Sequence, residues 1–141
     1  MQAFSLPRLG GGAPVSFGSE ASGNGRPAVL VFFASWCPPC RNELPEIASA
    51  IRRFQVAKVP VDFIGIDGND STAAGLAVVR QSGVTFVVGS DFTQKVARSL
   101  GLSGLPDTVL VSPNGRIEAM VRGAISTRTL DEWVSGVAAT G

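Results

Sequence analysis

The sequence predicts an α/β fold in which helices cover a central mixed sheet. Apolar runs typical of buried strands alternate with helical patterns between residues 28 and 100, and this alternation indicates βαβ units with a parallel sheet. A Pro-Asn-Gly turn at 113–115 then joins two strand-like segments, which predicts a terminal antiparallel pair because Asn and Gly accept the positive φ of tight hairpins. With 141 residues and 45% hydrophobic content, the chain suits one globular domain, 1–141.

Residues 1–27 predict an N-terminal extension ahead of the main sheet. The stretch is rich in Gly, Ser, Pro and Asn from residue 10 onwards, and two short apolar pieces, 4–6 and 14–17, favour an irregular hairpin. Residues 28–34 follow as a continuously apolar run of mostly β-branched and aromatic residues. Such a run is typical of a strand buried on both faces, so we expect it at the centre of the sheet.

An amphipathic helix is predicted directly after the two cysteines. Its apolar residues recur at helical spacing, while charged residues fall elsewhere. The apolar set is Leu44, Ile47, Ala48, Ile51 and Phe54. Pro45 lies inside this pattern, where it removes a backbone donor and clashes with the preceding turn. We therefore expect a kink near residues 41–44.

The remaining elements alternate and then close the fold. They are a strand at 61–66, a helix capped by Ser71 and ending at Gly83, a short strand at 86–88, and a helix of about two turns from Asp91 or Phe92 to Leu100. The last are strands at 108–112 and 116–122 and a closing helix capped by Thr127 or Thr129. Both cysteines fall where the first core strand ends.

Composition and charge exclude several classes of function. The formal net charge is +1, from 12 basic and 11 acidic residues spread along the chain, so no electrostatic footprint for nucleic acid or an anionic membrane is present. The absence of histidine removes imidazole as base or metal ligand and excludes the usual serine-hydrolase triads. No apolar run approaches the roughly 18 residues of a membrane span, and the N-terminus lacks the apolar core of a signal peptide. An anchor or signal can still precede these residues in the natural protein.

Cys37 and Cys40, the two cysteines of the chain, allow three interpretations. A zinc site needs about four ligands, and these two thiols could complete one only if protomers shared it. A structural disulfide closing so short a loop removes little chain entropy and stabilises a domain of this size poorly. A redox pair explains more, because the first sulfur of a strand-to-helix CxxC is exposed at the helix N-terminus, where free N–H groups and the dipole favour thiolate. We expect Cys37 to be the nucleophile.

Two motifs carry a resemblance to a known family. Residues 33–40 read FASWCPPC and are followed by Glu43, Leu44 and Pro45, while residues 104–108 read GLPDT. With the order of the elements, these motifs resemble the thioredoxin superfamily, in particular the extracytoplasmic TlpA/ResA-type (DsbE/CcmG-like) thiol-disulfide oxidoreductases. The resemblance covers almost the whole chain. It implies a thioredoxin-like three-layer fold: a central mixed sheet with a parallel βαβ part and a C-terminal β-hairpin plus helix, with an N-terminal extension and a central α insertion.

The resemblance also implies roles for residues beside the sulfurs. Trp36, Pro38 and Pro39 would belong to the active-site loop. The Leu105–Pro106 bond would be cis, with Pro106 packed beside the sulfurs, and the free backbone groups of Leu105 could pair with an extended substrate segment. The alternative at this position is an ordinary trans turn between a helix and a strand.

Three acidic residues are the other candidates near the site. Thioredoxins place a buried aspartate six residues before the first cysteine, where this chain has Val31. ResA-type proteins carry a glutamate after the next core strand, and Asp70, with Asp67 behind it, occupies the corresponding loop as candidate proton acceptor for Cys40. Acidic residues in such loops also serve as turn formers and helix caps. Asp107 is similar to the acidic residue that follows the cis-proline in the cytochrome c maturation branch.

The function implied is thiol-disulfide exchange with protein substrates, without cofactor or metal. The prolines at 38 and 39 delete two backbone donors near the Cys37 sulfur, leaving the N–H groups of Cys40 and Arg41. We therefore expect a Cys37 pKa nearer thioredoxin's roughly 7 than the roughly 3.5 of the strongest oxidant, and a lean towards reductase.

Alternatives remain open at this point. They are a disulfide oxidase of exported proteins, a redox-gated binding module with the same fold, and a metal carrier. The expected partners are protein thiols or disulfides and a redox partner protein, with no nucleic acid and no membrane contact by this domain itself. We expect a monomer. Family analogy predicts a location outside the cytoplasmic membrane, whereas the cysteine content also fits a reducing cytosol.

Overall fold

The computed structural model describes residues 1, 3–17 and 25–140, with side chains up to residue 137. The elements within these residues are β1 (Phe4–Leu6), β2 (Val15–Phe17), β3 (Ala28–Phe33), α1 (Pro38–Val56), β4 (Asp62–Gly68), α2 (Thr72–Ser82), β5 (Val87–Asp91), α3 (Lys95–Ser99), β6 (Asp107–Val111), β7 (Ile117–Arg122) and α4 (Thr127–Thr140). Part of the predicted Gly- and Ser-rich extension, residues 18–24, lies outside the described residues. Strands β1 and β2 pair antiparallel as a separate hairpin.

Strand β3 lies at the centre of a five-stranded sheet with the order β5-β4-β3-β6-β7. It pairs parallel with β4 and antiparallel with β6, and β6 pairs antiparallel with β7 across the Pro-Asn-Gly turn. Every residue of β3 is buried, as expected of a strand covered on both faces. The predicted mixed sheet, with a parallel part and a terminal hairpin, is confirmed.

Apolar packing on both faces of the sheet gives the three layers. On one face, Val29, Val31 and Phe33 of β3 pack with apolar side chains of α1 and α4. On the other face, Leu30 and Phe32 pack with side chains of β1, β2 and α3. The C-terminal end of β3, from which the chain enters α1, is therefore held from both sides.

Helix α3 begins later than the sequence predicts. It starts at Lys95 and not at Asp91 or Phe92, and β5 extends to Asp91, beyond its predicted end. The carboxylate of Asp91 accepts hydrogen bonds from the N–H groups of Val96 and Ala97. Asp91 therefore satisfies the free donors of the first turn from outside the helix.

The other helices agree with the predicted pattern, apart from one cap. Helix α2 has Ser71 as its N-cap and ends at Gly83 in the left-handed conformation. At the start of α4, Ser126 Oγ accepts a hydrogen bond from the Thr129 N–H, so Ser126 replaces the predicted Thr127 or Thr129 as cap. Helix α1 runs through Pro45 from Pro38 to Val56, and the kink stays a prediction. Within the described part of the chain, no helix has both the length and the apolar character to cross a membrane.

Candidate active site

Cys37 and Cys40 lie where the chain passes from β3 into α1. Cys37 is the N-cap residue, in extended conformation, and Pro38 and Pro39 occupy the first helical positions, where a missing N–H costs nothing. The Cys40 N–H donates to the Cys37 sulfur at 3.3 Å, as expected. The Arg41 N–H instead donates to the Cys37 carbonyl oxygen at 3.2 Å, so only one of the two expected donors reaches the sulfur.

The two sulfurs are joined in a disulfide. Cys37 is 5% exposed and Cys40 is completely buried, so Cys37 is the cysteine of the pair that lies nearer to solvent. Among the described residues, no group of three or more His, Cys, Asp or Glu is placed to hold a metal ion. The arrangement is one in which the first cysteine can exchange with an external partner and the second can resolve the product.

Trp36 presents a half-exposed indole beside Cys37. Its side chain is 53% exposed, and Nε1 donates to the carbonyl oxygen of Asn69 at 2.9 Å. On the other side of the loop, the Arg41 guanidinium donates to the Ser35 carbonyl oxygen at 2.8 Å. The loop that carries Cys37 is thus tied both to the start of α1 and to the loop after β4.

The Leu105–Pro106 bond is cis, as the resemblance implies. Asp107 pairs with Phe32 in the sheet, which places Pro106 at the end of β3 that leads to the cysteines. The backbone N–H and C=O of Leu105 have no hydrogen-bond partner within the described parts of the chain. A cavity of about 230 Å³ lies between Trp36 and Leu105. Unpaired main-chain groups and a cavity of mixed polar and apolar lining therefore lie beside Trp36, the residue that precedes Cys37.

Asp70 holds the loop that precedes Cys37. Its carboxylate accepts hydrogen bonds from the Ser35 N–H at 2.7 Å, from Ser35 Oγ at 2.6 Å and from the Ser71 N–H at 3.0 Å. Burial would raise the pKa of Asp70, but hydrogen bonds from Ser35, Asp67 and Ser71 outweigh it and lower the pKa below its usual value. Asp70 is therefore ionised, and both of its carboxylate oxygens already accept hydrogen bonds.

Asp67 lies behind Asp70 at the end of β4. Its side chain is 1% exposed, and Oδ1 has no partner among the described atoms. Burial, followed by the hydrogen bond to Asp70 and the Asp70 charge, raises the pKa of Asp67 to about 8. Helix α2 presents Gly75 to this carboxyl, where a Cβ would collide with Oδ2. Sequence reasoning paired the two aspartates, but their opposite protonation states appear only in the structure.

Glu43 is a site residue to which sequence reasoning assigned no role. It lies one helical turn after Cys40 and is 2% exposed. Burial raises its pKa to about 7, and the charges of Glu46 and Asp107 add to the rise, against the hydrogen bond from Ile125. The signal in the sequence was an acidic residue at helical spacing between the buried Cys40 and Ile47.

Asp107 is also buried, at 3% exposure. Burial raises its pKa, partly offset by the Gly123 N–H and the charge of Arg122. The Gly123 N–H donates to the carbonyl oxygen of Pro106 at 2.8 Å and to Asp107 Oδ1 at 3.2 Å. Asp107 therefore helps to hold the proline loop against the end of β7.

Comparison with known proteins gives consistent matches. Residues 1–120 match the family described as AhpC/TSA. Thiol-disulfide oxidoreductase ResA of Bacillus subtilis is 26% identical over 111 residues, which cover 79% of this chain and 61% of that protein. Thiol:disulfide interchange protein DsbE of Pseudomonas aeruginosa is 28% identical over 134 residues, which cover 94% of this chain and 70% of that protein. The chain thus spans about three fifths of the length of the ResA relatives it matches.

A solved structure agrees with these matches. MTB DsbF, in its mixed oxidized and reduced forms, superposes with a TM-score of 0.80 and 31% sequence identity. The superposition covers 95% of this chain and 94% of that chain. The fold described above is therefore one that a solved structure shares over almost the whole chain.

Proposed function

The chain belongs to the AhpC/TSA family of thioredoxin-fold proteins, and from this premise we propose that it is a thiol-disulfide oxidoreductase that exchanges disulfides with protein substrates. The observation that carries the proposal is the asymmetry of the redox pair. Cys37 caps the helix, accepts a hydrogen bond from the Cys40 N–H and keeps 5% of its surface exposed, while Cys40 is completely buried. This is the arrangement needed by an attacking thiolate and a resolving thiol.

The exchange proceeds in two balanced steps. In the reduced protein, the Cys37 thiolate attacks a substrate disulfide, forms a mixed disulfide and releases one substrate thiolate. Cys40 then loses its proton and attacks the Cys37 sulfur, which forms the Cys37–Cys40 bond and releases the second substrate thiolate. Two electrons pass from the protein to the substrate, and the reverse sequence oxidises a substrate dithiol.

The substrate is proposed to dock as an extended segment along Leu105 and Pro106. The unpaired backbone groups of Leu105 offer main-chain hydrogen bonds of the kind a strand makes when it joins a sheet edge. The adjoining cavity is lined by apolar side chains such as Phe32 and Leu102 and by the polar side chains of Asp91 and Gln94. A substrate cysteine that reaches Cys37 would place a neighbouring side chain at this recess.

The direction of electron flow is proposed to favour reduction of the substrate. One N–H reaches the Cys37 sulfur, and no imidazole is present in the chain, so the thiolate receives moderate stabilisation. Equilibration of the pair with glutathione measures the direction, because a low potential identifies a reductase and a high one a disulfide oxidase of exported proteins. A role in cytochrome c maturation is one version of the reductase proposal and rests on the DsbE and ResA likeness.

The proton of Cys40 needs an acceptor, and Asp70 and Asp67 stay the candidates. Asp70 is ionised, but its oxygens already accept hydrogen bonds from Ser35 and Ser71, whereas Asp67 is protonated at neutral pH and becomes an acceptor only as the pH rises towards its pKa. The Asp67 pKa of about 8 lies near the ordinary thiol value of roughly 8.5. Once Asp67 is ionised, it can therefore take the Cys40 proton with little free-energy change.

The decisive experiment is trapping with Cys40→Ala. This variant cannot resolve the mixed disulfide, so it should accumulate covalent adducts with protein substrates through Cys37. The matched control, Cys37→Ala, retains the buried thiol and should trap nothing. A redox-gated binding module would bind its partners equally well without either thiol, and that outcome would refute the enzymatic proposal. A metal carrier would bind zinc or copper(I) stoichiometrically in its reduced state.

The remaining proposals concern the setting of the reaction. We place residues 1–141 in one domain, acting as a monomer with a separate redox partner protein. An extracytoplasmic location rests on the ResA and DsbE likeness. Size-exclusion chromatography with light scattering tests the monomer, and a reporter fusion of the natural gene tests the location.

A further inference from the structure

Gln94 has a left-handed backbone conformation directly before α3. Its φ is 58° and its ψ is 28°. Two hydrogen bonds fix this conformation, because the Gln94 N–H donates to the Asp91 carbonyl oxygen at 2.9 Å and the Gln94 carbonyl oxygen accepts from the Arg98 N–H at 2.9 Å. The left-handed region costs free energy for a residue with a Cβ, whereas glycine adopts it freely. The chain therefore carries a long side chain at a position where the backbone favours glycine.

The carboxamide of Gln94 takes no part in holding the helix. Gln94 is the N-cap residue of α3, yet its side chain makes no capping hydrogen bond. The Asp91 carboxylate caps the helix instead, by accepting from the N–H groups of Val96 and Ala97. Among the residues that the structure describes, the Gln94 carboxamide has no hydrogen-bond partner. Its N–H groups and its oxygen are therefore available to a ligand.

Gln94 lines the cavity of about 230 Å³ beside the redox loop, together with Trp36 and Leu105. Its side chain crosses the end of β4, since a Cβ added at Gly68 would lie 3.4 Å from Gln94 Cγ and 3.5 Å from Nε2. Asp91, another polar residue of the lining, is 1% exposed and already accepts hydrogen bonds from α3. Gln94 therefore supplies the cavity with a polar group that is free to bind.

A positive φ does not by itself indicate a ligand. Within the described parts of the chain, Lys58 and Asn69 are the other non-glycine residues with this conformation. Lys58 follows the end of α1, and the Asn69 carbonyl oxygen accepts the Trp36 indole N–H. Neither residue lines the cavity. At Gln94 the strained conformation coincides with an unpaired carboxamide in a cavity, which is the combination expected where a side chain is kept for a ligand.

We infer that Gln94 selects the substrate side chain next to the reacting cysteine, and that it favours a carboxamide, Asn or Gln, over an apolar side chain of the same size. The inference rests on the proposed function and deepens it. When Leu105 binds the main chain of an extended substrate, alternate substrate side chains point to the same side and one of them enters the cavity. A carboxamide can donate to Gln94 and accept from it. An apolar side chain would displace water and leave the Gln94 groups unpaired.

The test uses the reduced chain and peptide homodimers joined by one disulfide, in which a residue flanking the cysteine is Gln or Met. Each turnover oxidises Cys37 and Cys40 to their disulfide and releases two peptide thiols. The single-turnover rate constant should favour Gln over Met at one of the two flanking positions by about fivefold, the ratio expected of one hydrogen bond of ordinary net strength. Gln94→Met keeps the length of the side chain without the carboxamide and should abolish this preference.

Gln81→Met is the matched control, because Gln81 is exposed on α2 and does not line the cavity. This variant should keep the preference of the parent. Bis(2-hydroxyethyl) disulfide has no side chain to enter the cavity, so the parent and Gln94→Met should reduce it equally fast. A parent that reacts with both peptides at the same rate, or a preference that survives in Gln94→Met, would overturn the inference.

A second variant, Gln94→Gly, separates a binding role from a structural one. Glycine relieves the left-handed strain and removes the carboxamide, so the variant should lose the preference without a fall in Tm. A lower Tm would show that the side chain is kept for the fold and would contradict the inference. Exchange without a preference refutes the inference alone, whereas a parent that exchanges with none of these disulfides refutes the proposed function and the inference with it.

Discussion

The carboxylate of Glu43 accepts a hydrogen bond from the backbone N–H of Ile125 at 2.6 Å. This contact ties the redox helix α1 to the segment before α4, across 82 residues of sequence. The second carboxyl oxygen of Glu43, Oε1, has no hydrogen-bond partner among the described atoms. The group is therefore favoured in its neutral form, since a buried charge with one hydrogen bond is poorly stabilised.

We predict that Glu43→Gln makes stability less dependent on pH. The pKa of Glu43 rises from 4.5 to about 7 on folding, so between these values the folded protein binds a proton that the unfolded chain has lost. The free energy of unfolding therefore falls as pH rises through this window and stays lowered above it. Urea unfolding of the oxidised protein measures the free energy of unfolding at about pH 5 and about pH 8. The decrease between these pH values should be smaller in the variant than in the parent, by on the order of 2 kcal/mol.

Glu118→Gln is the control for this measurement, because Glu118 is exposed. Its removal should leave the pH dependence as it is in the parent. If Glu43→Gln lost as much stability as the parent between the two pH values, Glu43 would not be protonated in the folded protein.

Gly75→Ala should destabilise the protein by about 1–3 kcal/mol, because overpacking a filled site forces side chains and backbone to shift. The added Cβ would collide with Asp67 Oδ2 and lie 3.2 Å from a methyl carbon of Leu9. Gly136→Ala is the matched control, since it also lies in a helix but its Cβ would meet nothing within 4 Å among the described residues. That control should be neutral or stabilising, by up to about 1 kcal/mol. Equal effects of the two substitutions, measured by thermal unfolding, would contradict the packing at Gly75.

Replacing Pro39 should change the acidity of Cys37. Thiolate absorbance against pH should place the parent midpoint near 7, and a midpoint below about 5 would contradict the limited donation to the sulfur. Pro39→His introduces an imidazole and should lower the midpoint and make the pair more oxidising in equilibrium with glutathione, with each tenfold change in the constant worth about 30 mV. Pro39→Ala separates the imidazole effect from that of the restored N–H. An identical redox potential in both variants would show that the imidazole does not make the pair more oxidising.

Trp36→Ala should weaken exchange with a protein substrate more than exchange with a small disulfide. The indole lines the cavity beside Leu105, so its loss removes contact with a substrate segment while the sulfurs stay in place. We expect kcat/KM for reduction of insulin to fall by about tenfold, equivalent to about 1.4 kcal/mol. Phe92→Ala removes another exposed aromatic side chain, 66% exposed, that does not line the cavity, and should have little effect. A comparable loss with a small disulfide would show that Trp36 acts on the sulfurs instead.

The sequence determined the features that depend on local patterns. The apolar run at 28–34 was sufficient to predict a buried central strand, because a strand covered on both faces has apolar residues at consecutive positions and no face exposed to solvent. The CxxC at its end predicted the redox pair and the first sulfur as the accessible one. Ser71 and Gly83 predicted both ends of α2, since capping and left-handed backbone are properties of single residues.

Tertiary structure alone decided the protonation states and the fine positions around the sulfurs. Asp67 and Asp70 are separated by two residues, yet one is buried against Gly75 and neutral while the other is surrounded by donors from Ser35 and Ser71. The late start of α3 depends in the same way on Asp91 reaching Val96 and Ala97 from the end of β5. Periodicity and propensity describe a residue's neighbours along the chain, whereas desolvation and hydrogen bonding depend on which distant segments pack against it.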